Sequence, residues 1–247
     1  MTHKSILTLM RWDLKEYFSF PVFEIVLFIA VFSILNTSSI VLSYKESYSN
    51  LHWGIQNMFF FLMISICAVF SRTFAGAFSK SEIKTLLSYP IKRSNLFLAK
   101  YSTMFLTLLA TYASVWTLQL YIQALSPLEP MFWASILAMI PELLLLSAIT
   151  VTIALVVKNE LVSIFASILI LYGIENLASG GNFLLFSTGR YKILFGYFSI
   201  LTHGHLPMGI MYVPTHEDVA IAVSAPILIS IILLISSMAY FRKMQID

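Results

Sequence analysis

His203, His205, Met208, Met211 and His216 crowd one short stretch of the chain, and imidazole with thioether is a donor set that suits copper. No compact ligand spacing joins them, and methionine is common here, with 11 copies. The stretch therefore reads as interfacial packing with surface imidazoles, and copper handling is the alternative. Other candidates are polar groups inside apolar runs. Glu142 follows Pro141, Glu175 precedes Asn176, and Asn36 and Asn57 lie in two further runs. A carboxylate at membrane depth is costly and defaults to a functional role. For Glu142, the deepest, a pathway role competes with a structural hydrogen bond or ion pair to a neighbouring helix. Asn36 and Asn57 line a polar cavity or glue helices together. Glu24 and Arg72 sit at the ends of runs, where they can reach the interface.

Several chemistries lack their residues. No His-Glu-x-x-His, paired Asp or Ser–His set lies inside an apolar run, which argues against an intramembrane protease. No Gly-x-x-x-x-Gly-Lys-[Ser/Thr] loop is present, so the usual phosphate cradle for ATP is missing. A lone Cys67 excludes an internal disulfide, and no zinc spacing occurs. The chain is expected not to be an enzyme, to hold no cofactor itself, and to have no nucleic-acid partner.

The elements that position these residues are set by composition. Hydrophobic residues make up 59% of the 247 and charged residues only 11%, with a mean hydropathy of +0.86. A soluble domain carries about a quarter charged residues. Lipid can solvate such an apolar surface; a soluble core of this size cannot hide it. A spanning helix needs about 20 apolar residues, and six runs qualify: 22–43, 53–73, 96–125, 132–157, 161–178 and 218–241. Ahead of them, residues 1–20 form an amphipathic helix. Ile6, Met10, Leu14, Tyr17 and Phe18 fall on one face, and Lys4, Thr8, Arg11 and Lys15 on another. That pattern predicts a helix lying in the interface.

Basic residues set the orientation. With the N-terminus inside, Lys4, Arg11, Lys15, Arg72, Lys80, Lys84, Lys92, Arg93, Lys100, Lys158, Arg242 and Lys243 fall on the inner side. Lys45, Arg190 and Lys192 fall outside, a split of twelve to three among the 15. The positive-inside rule then puts both termini in the cytoplasm of a multi-pass cell-membrane protein. The one long inner connection, 74–95, joins runs two and three. The long outer segment, 179–217, holds apolar pieces too short to span. These read as re-entrant elements broken by Gly180, Gly181, Gly189 and Gly204. Residues 22–178 hold the first five spans, and 218–247 hold span six and a cytoplasmic tail. The whole chain makes a single transmembrane domain.

The inner connection carries the most specific pattern. Ser79 and Glu82 have capping-box spacing. Ile83, Leu86 and Leu87 share one helical face, while Lys80, Lys84 and Ser88 decorate another. Pro90 stops the helix at or before Tyr89, and Lys92 and Arg93 precede the next span. This predicts a short amphipathic cytoplasmic helix at 79–89. Its competing reading is an ordinary basic loop that anchors topology.

The order Glu82, Thr85, Leu86, Leu87, Ser88, Pro90, Ile91, Arg93, Lys100 resembles the type-2 ABC permease family, the exporter class of ATP-binding-cassette membrane subunits. Lys84 stands where that family usually has Gly. The resemblance implies an all-α membrane protein with an N-terminal interfacial helix, six spans, a coupling helix after span two and a long external segment after span five. It implies that Lys80, Glu82, Ile83, Lys84, Leu86, Leu87, Pro90 and Arg93 meet a separate ABC ATPase, which binds ATP and Mg. It also implies pairing with a second permease subunit, identical or homologous, within the membrane lipids. A non-transporting scaffold subunit, or a permease for copper, is the alternative. The substrate is not legible.

Overall fold

The computed structural model describes residues 3–18, 22–41, 48–79, 91–122, 128, 130–179, 193–194, 196–198, 200–201, 204 and 213–244. Among them every regular element is a helix: α1 (His3–Tyr17), α2 (Val22–Val41), α3 (Tyr48–Ser71), α4 (Arg93–Ile122), α5 (Pro130–Val157), α6 (Glu160–Ser179) and α7 (His216–Lys243). Helix α3 continues through a π-helical turn, Arg72–Gly76, and a last α-turn, Ala77–Ser79.

Stretches of α4 (Arg93–Leu118), α5 (Ala138–Val157) and α7 (His216–Lys243) are long and apolar enough to cross a membrane. Shorter apolar stretches of α2 (Phe23–Phe32), α3 (Phe60–Gly76) and α6 (Glu160–Ile174) accompany them among the described residues. The helices overrun the expected hydropathy windows. Helix α3 starts at Tyr48 rather than 53, and α4 at Arg93 rather than 96. Hydropathy marks the length that lipid can solvate, whereas helical hydrogen bonding extends into polar turns at either end.

Helix α5 is central, with α3, α4, α6 and α7 all packed on it. Its inward residues Ser147, Ala148, Thr150, Val151 and Ala154 are fully buried, and mostly small side chains let backbones approach closely. Hydroxyl pairs then join the helices. Ser65 bonds Tyr112 at 2.7 Å, Tyr101 bonds Ser147 at 2.8 Å, and Thr152 bonds Ser237 at 2.9 Å. Each such bond contributes about 0.6 kcal/mol inside a membrane protein. Helix α5 turns into α6 over two residues. Lys158 takes a left-handed conformation, φ 55°, and Asn159 caps α6 by accepting from the Val162 N–H at 3.2 Å.

Helix α1 does not merely lie at an interface. It packs along α4, burying Asp13 and Tyr17 while Trp12 and Phe18 stay exposed. The buried side thus includes Asp13, whereas Phe18, placed on the apolar face by the sequence, is exposed. Helix α7 begins at His216, two residues before the expected 218, because Thr215 and Asp218 form a capping box. Most of 179–217 lies outside the described residues. The described part includes Tyr197, whose hydroxyl bonds His216 Nδ1 at 2.5 Å.

Candidate functional site

Five parts of the chain meet at one end of the bundle: the end of α3, the start of α4, the α5–α6 turn, the end of α7, and α1 along the side of α4. In the sequence, residues 80–90, the centre of the expected coupling segment, join α3 to α4. Lys80, Glu82, Ile83, Lys84, Leu86, Leu87 and Pro90 lie outside the described residues. Ser79 is helical, part of the last turn of α3, rather than in the extended backbone of an N-cap.

The flanks of that segment are tied down. Arg93 Nη1 donates to the backbone carbonyls of Arg242 at 3.3 Å and Met244 at 2.5 Å. A cation at a helix C-terminus meets unpaired carbonyls and the negative end of the macrodipole, so Arg93 joins the start of α4 to the end of α7. Beneath it, aromatic rings interlock. Phe97 lies 5.3 Å from Phe74 and 6.0 Å from Phe241, and Phe78 lies 6.2 Å from Phe241. Such pairs contribute about 0.5–1.5 kcal/mol beyond their buried area.

The other side of the segment is equally tied. Ser71 bonds Ser163 at 2.8 Å, linking α3 to α6 just before the π turn. A π turn often marks a functional position in a helix. Within it, Gly76 lies under the Glu160 carboxylate: an added Cβ would come within 2.8 Å of Oε2. Glu160 in turn occupies the first turn of α6, where an acidic group is favoured. Lys158 places its Nζ 6.0 Å from the Phe78 ring centroid, a cation–π distance.

Asp13 completes the arrangement. Its carboxylate meets Lys100 Nζ at 3.1 Å, both side chains being almost wholly buried. The Asp13–Tyr17 side of α1 thus includes an acid that holds a lysine of the sequence motif. The signal was available. Asp13 sits at helical spacing among Met10, Leu14 and Tyr17, and an acid on an apolar face needs a partner.

The remaining candidates separate from this end. Glu142 is buried inside the bundle on α5, well away in sequence from the α5–α6 turn. The side chains of Asn36, Asn57 and Glu175 lie outside what the structure describes. So do His203, His205, Met208 and Met211, while His216 engages Tyr197. Among the described residues no three His, Cys, Asp or Glu converge as metal ligands.

A family model described as ABC-2 family transporter protein matches residues 14–176, from α1 through most of α6. The match includes the tied end of the bundle, apart from α7 and the part of α1 that carries Asp13. No curated protein matches the chain.

Proposed function

We propose, from the premise that this chain belongs to the ABC-2 transporter family, that it is the permease subunit of an ATP-driven exporter. Six helices cross the cell membrane, and both termini and the tied end face the cytoplasm. Two such subunits, identical or homologous, form the substrate pathway. Two separate ATPases that bind ATP and Mg dock beneath them. The permease holds no catalytic group for hydrolysis; it converts ATPase movement into helix movement.

The convergence of contacts around residues 80–90 supports this reading best. A segment that takes a push must be joined stiffly to the spans it moves. Arg93 couples its far flank to α7. The π turn and Ser71 couple its near flank to α6. A push on residues 79–89 would reach α3, α4, α6 and α7 as one body. Glu142, buried among these helices, is the pathway candidate on this reading.

The test is co-expression with candidate ABC ATPases, followed by purification and single-cysteine labelling in a Cys67→Ser background. An ATPase should co-purify, and cysteines replacing Lys84 and Arg190 should label from opposite sides. A monomeric permease that never retains an ATPase, or labelling of both cysteines from outside, overturns the reading.

A further inference from the structure

Next to the Arg93 tie, Lys92, Arg93, Ser94 and Arg242 line an open cavity of about 250 Å³. Three of the four are cations, and no carboxylate is among them. Arg93 spends Nη1 on the α7 carbonyls, yet a guanidinium carries five N–H donors. Lys92 and Arg242 are exposed, and Ser94 is half-buried. The cavity thus offers several donors and net positive charge to an anion.

What lies along the helices from this cavity identifies the anion's other half. Ser94 is followed one turn along α4 by Leu98, which is exposed. Arg242 is preceded on α7 by Ala239, Ile235 and Ile231, all exposed at helical spacing. Both helices are long and apolar enough to cross a membrane. The Arg93 bonds to Arg242 and Met244 bring their ends level. Charged donors therefore sit where an exposed aliphatic strip on α7 and the exposed Leu98 on α4 stop, at the ends of two helices of spanning length.

We propose that this cavity is a binding site for an anionic glycerophospholipid. The phosphodiester oxygens accept from Lys92, the unused Arg93 donors, Ser94 and Arg242. The acyl chains lie on Leu98 and on Ile235 and Ile231. A lipid held there staples the start of α4 to the end of α7 from outside, reinforcing the Arg93 bonds. The site needs only a membrane-spanning chain, so it stands or falls separately from ATP coupling.

The experiment uses the full chain alone, purified into phosphatidylcholine nanodiscs containing a minor fraction of phosphatidylglycerol, with retained lipid counted by native mass spectrometry. Each cation near an anionic lipid contributes about fivefold in affinity. Lys92→Gln with Arg242→Gln should therefore lose retained phosphatidylglycerol roughly 25-fold. Both side chains are exposed, and the Arg242 carbonyl that receives Arg93 survives the change. Arg11→Gln with Lys15→Gln removes the same charge from the exposed face of α1 and should leave retention near the native level. Equal loss in both double variants means unspecific surface attraction and overturns the site. So does inorganic phosphate that competes as well as the lipid, since the aliphatic side chains then contribute nothing. Native lipid retention in Lys92→Gln with Arg242→Gln likewise overturns it.

Discussion

Asp13 of α1 and Lys100 of α4 form an ion pair across 3.1 Å, with 3% and 7% of their side chains exposed. It fixes a short amphipathic helix to the flank of a span. Removing one partner from a buried pair leaves an uncompensated charge and costs about 3–5 kcal/mol, whereas apolar replacement of both is often neutral. Asp13→Leu or Lys100→Met alone should therefore lower the thermal midpoint in detergent and expose α1 to protease near Lys15. The combined variant should recover most of both. Equal damage in all three would mean that the pair does not seat α1.

Arg93 predicts a different signature. Its guanidinium bonds two carbonyls at the end of α7, and hydrogen bonds to charged groups contribute about 1.5–3 kcal/mol. Arg93→Gln should speed hydrogen exchange at the amides of residues 240–244 without altering exchange in α5. Arg93→Lys should give an intermediate rate, because an ammonium keeps the charge but loses the planar fork. Native exchange in Arg93→Gln would show that α7 ends without its help.

Tyr17 supplies a pH test. Burial raises its phenol above the usual 10.0, with Thr111 opposing the shift. The folded state thus holds the phenolic proton more tightly than the unfolded state. Its contribution is fully present below pH 10 and is lost as pH climbs through the higher folded value. In a titration of native protein against Tyr17→Phe, the difference in phenolate absorbance should be centred above pH 10. Protease cutting of α1 should begin in the same range. A difference signal centred at pH 10 would place Tyr17 in water.

The segment between α3 and α4 is tested by charge. Ile83, Leu86 and Leu87 share a face in the sequence, and buried apolar contacts at an interface hot spot contribute at least 2 kcal/mol each. Leu86→Asp or Leu87→Asp, in complex with the ATPase, should insert normally and leave basal hydrolysis in place. Transport and substrate-stimulated hydrolysis should fall together. Normal transport in both variants would reduce the segment to a topological loop.

Composition and spacing decided the class of this protein. Apolar runs of spanning length, a twelve-to-three split of basic residues and the order of residues 82–100 are local properties, legible without coordinates. The amphipathic character of α1 was legible for the same reason: a helix with two unlike faces records its environment in its own period. Its partner was not. Asp13 finds Lys100 across 87 positions, and Arg93 finds the Met244 carbonyl across 151. Neither distance leaves a periodic trace. The spans are apolar on nearly every side, so hydropathy fixes their length but not their rotation about their own axes. Only packing settled which side chains face inward. It placed Ser147 and Ser163 where they meet Tyr101 and Ser71, and it opened the π turn where Gly76 passes under Glu160. Rotation and pairing are collective choices, made when small residues let backbones close together and buried polar groups must each find a partner in a medium that offers no water.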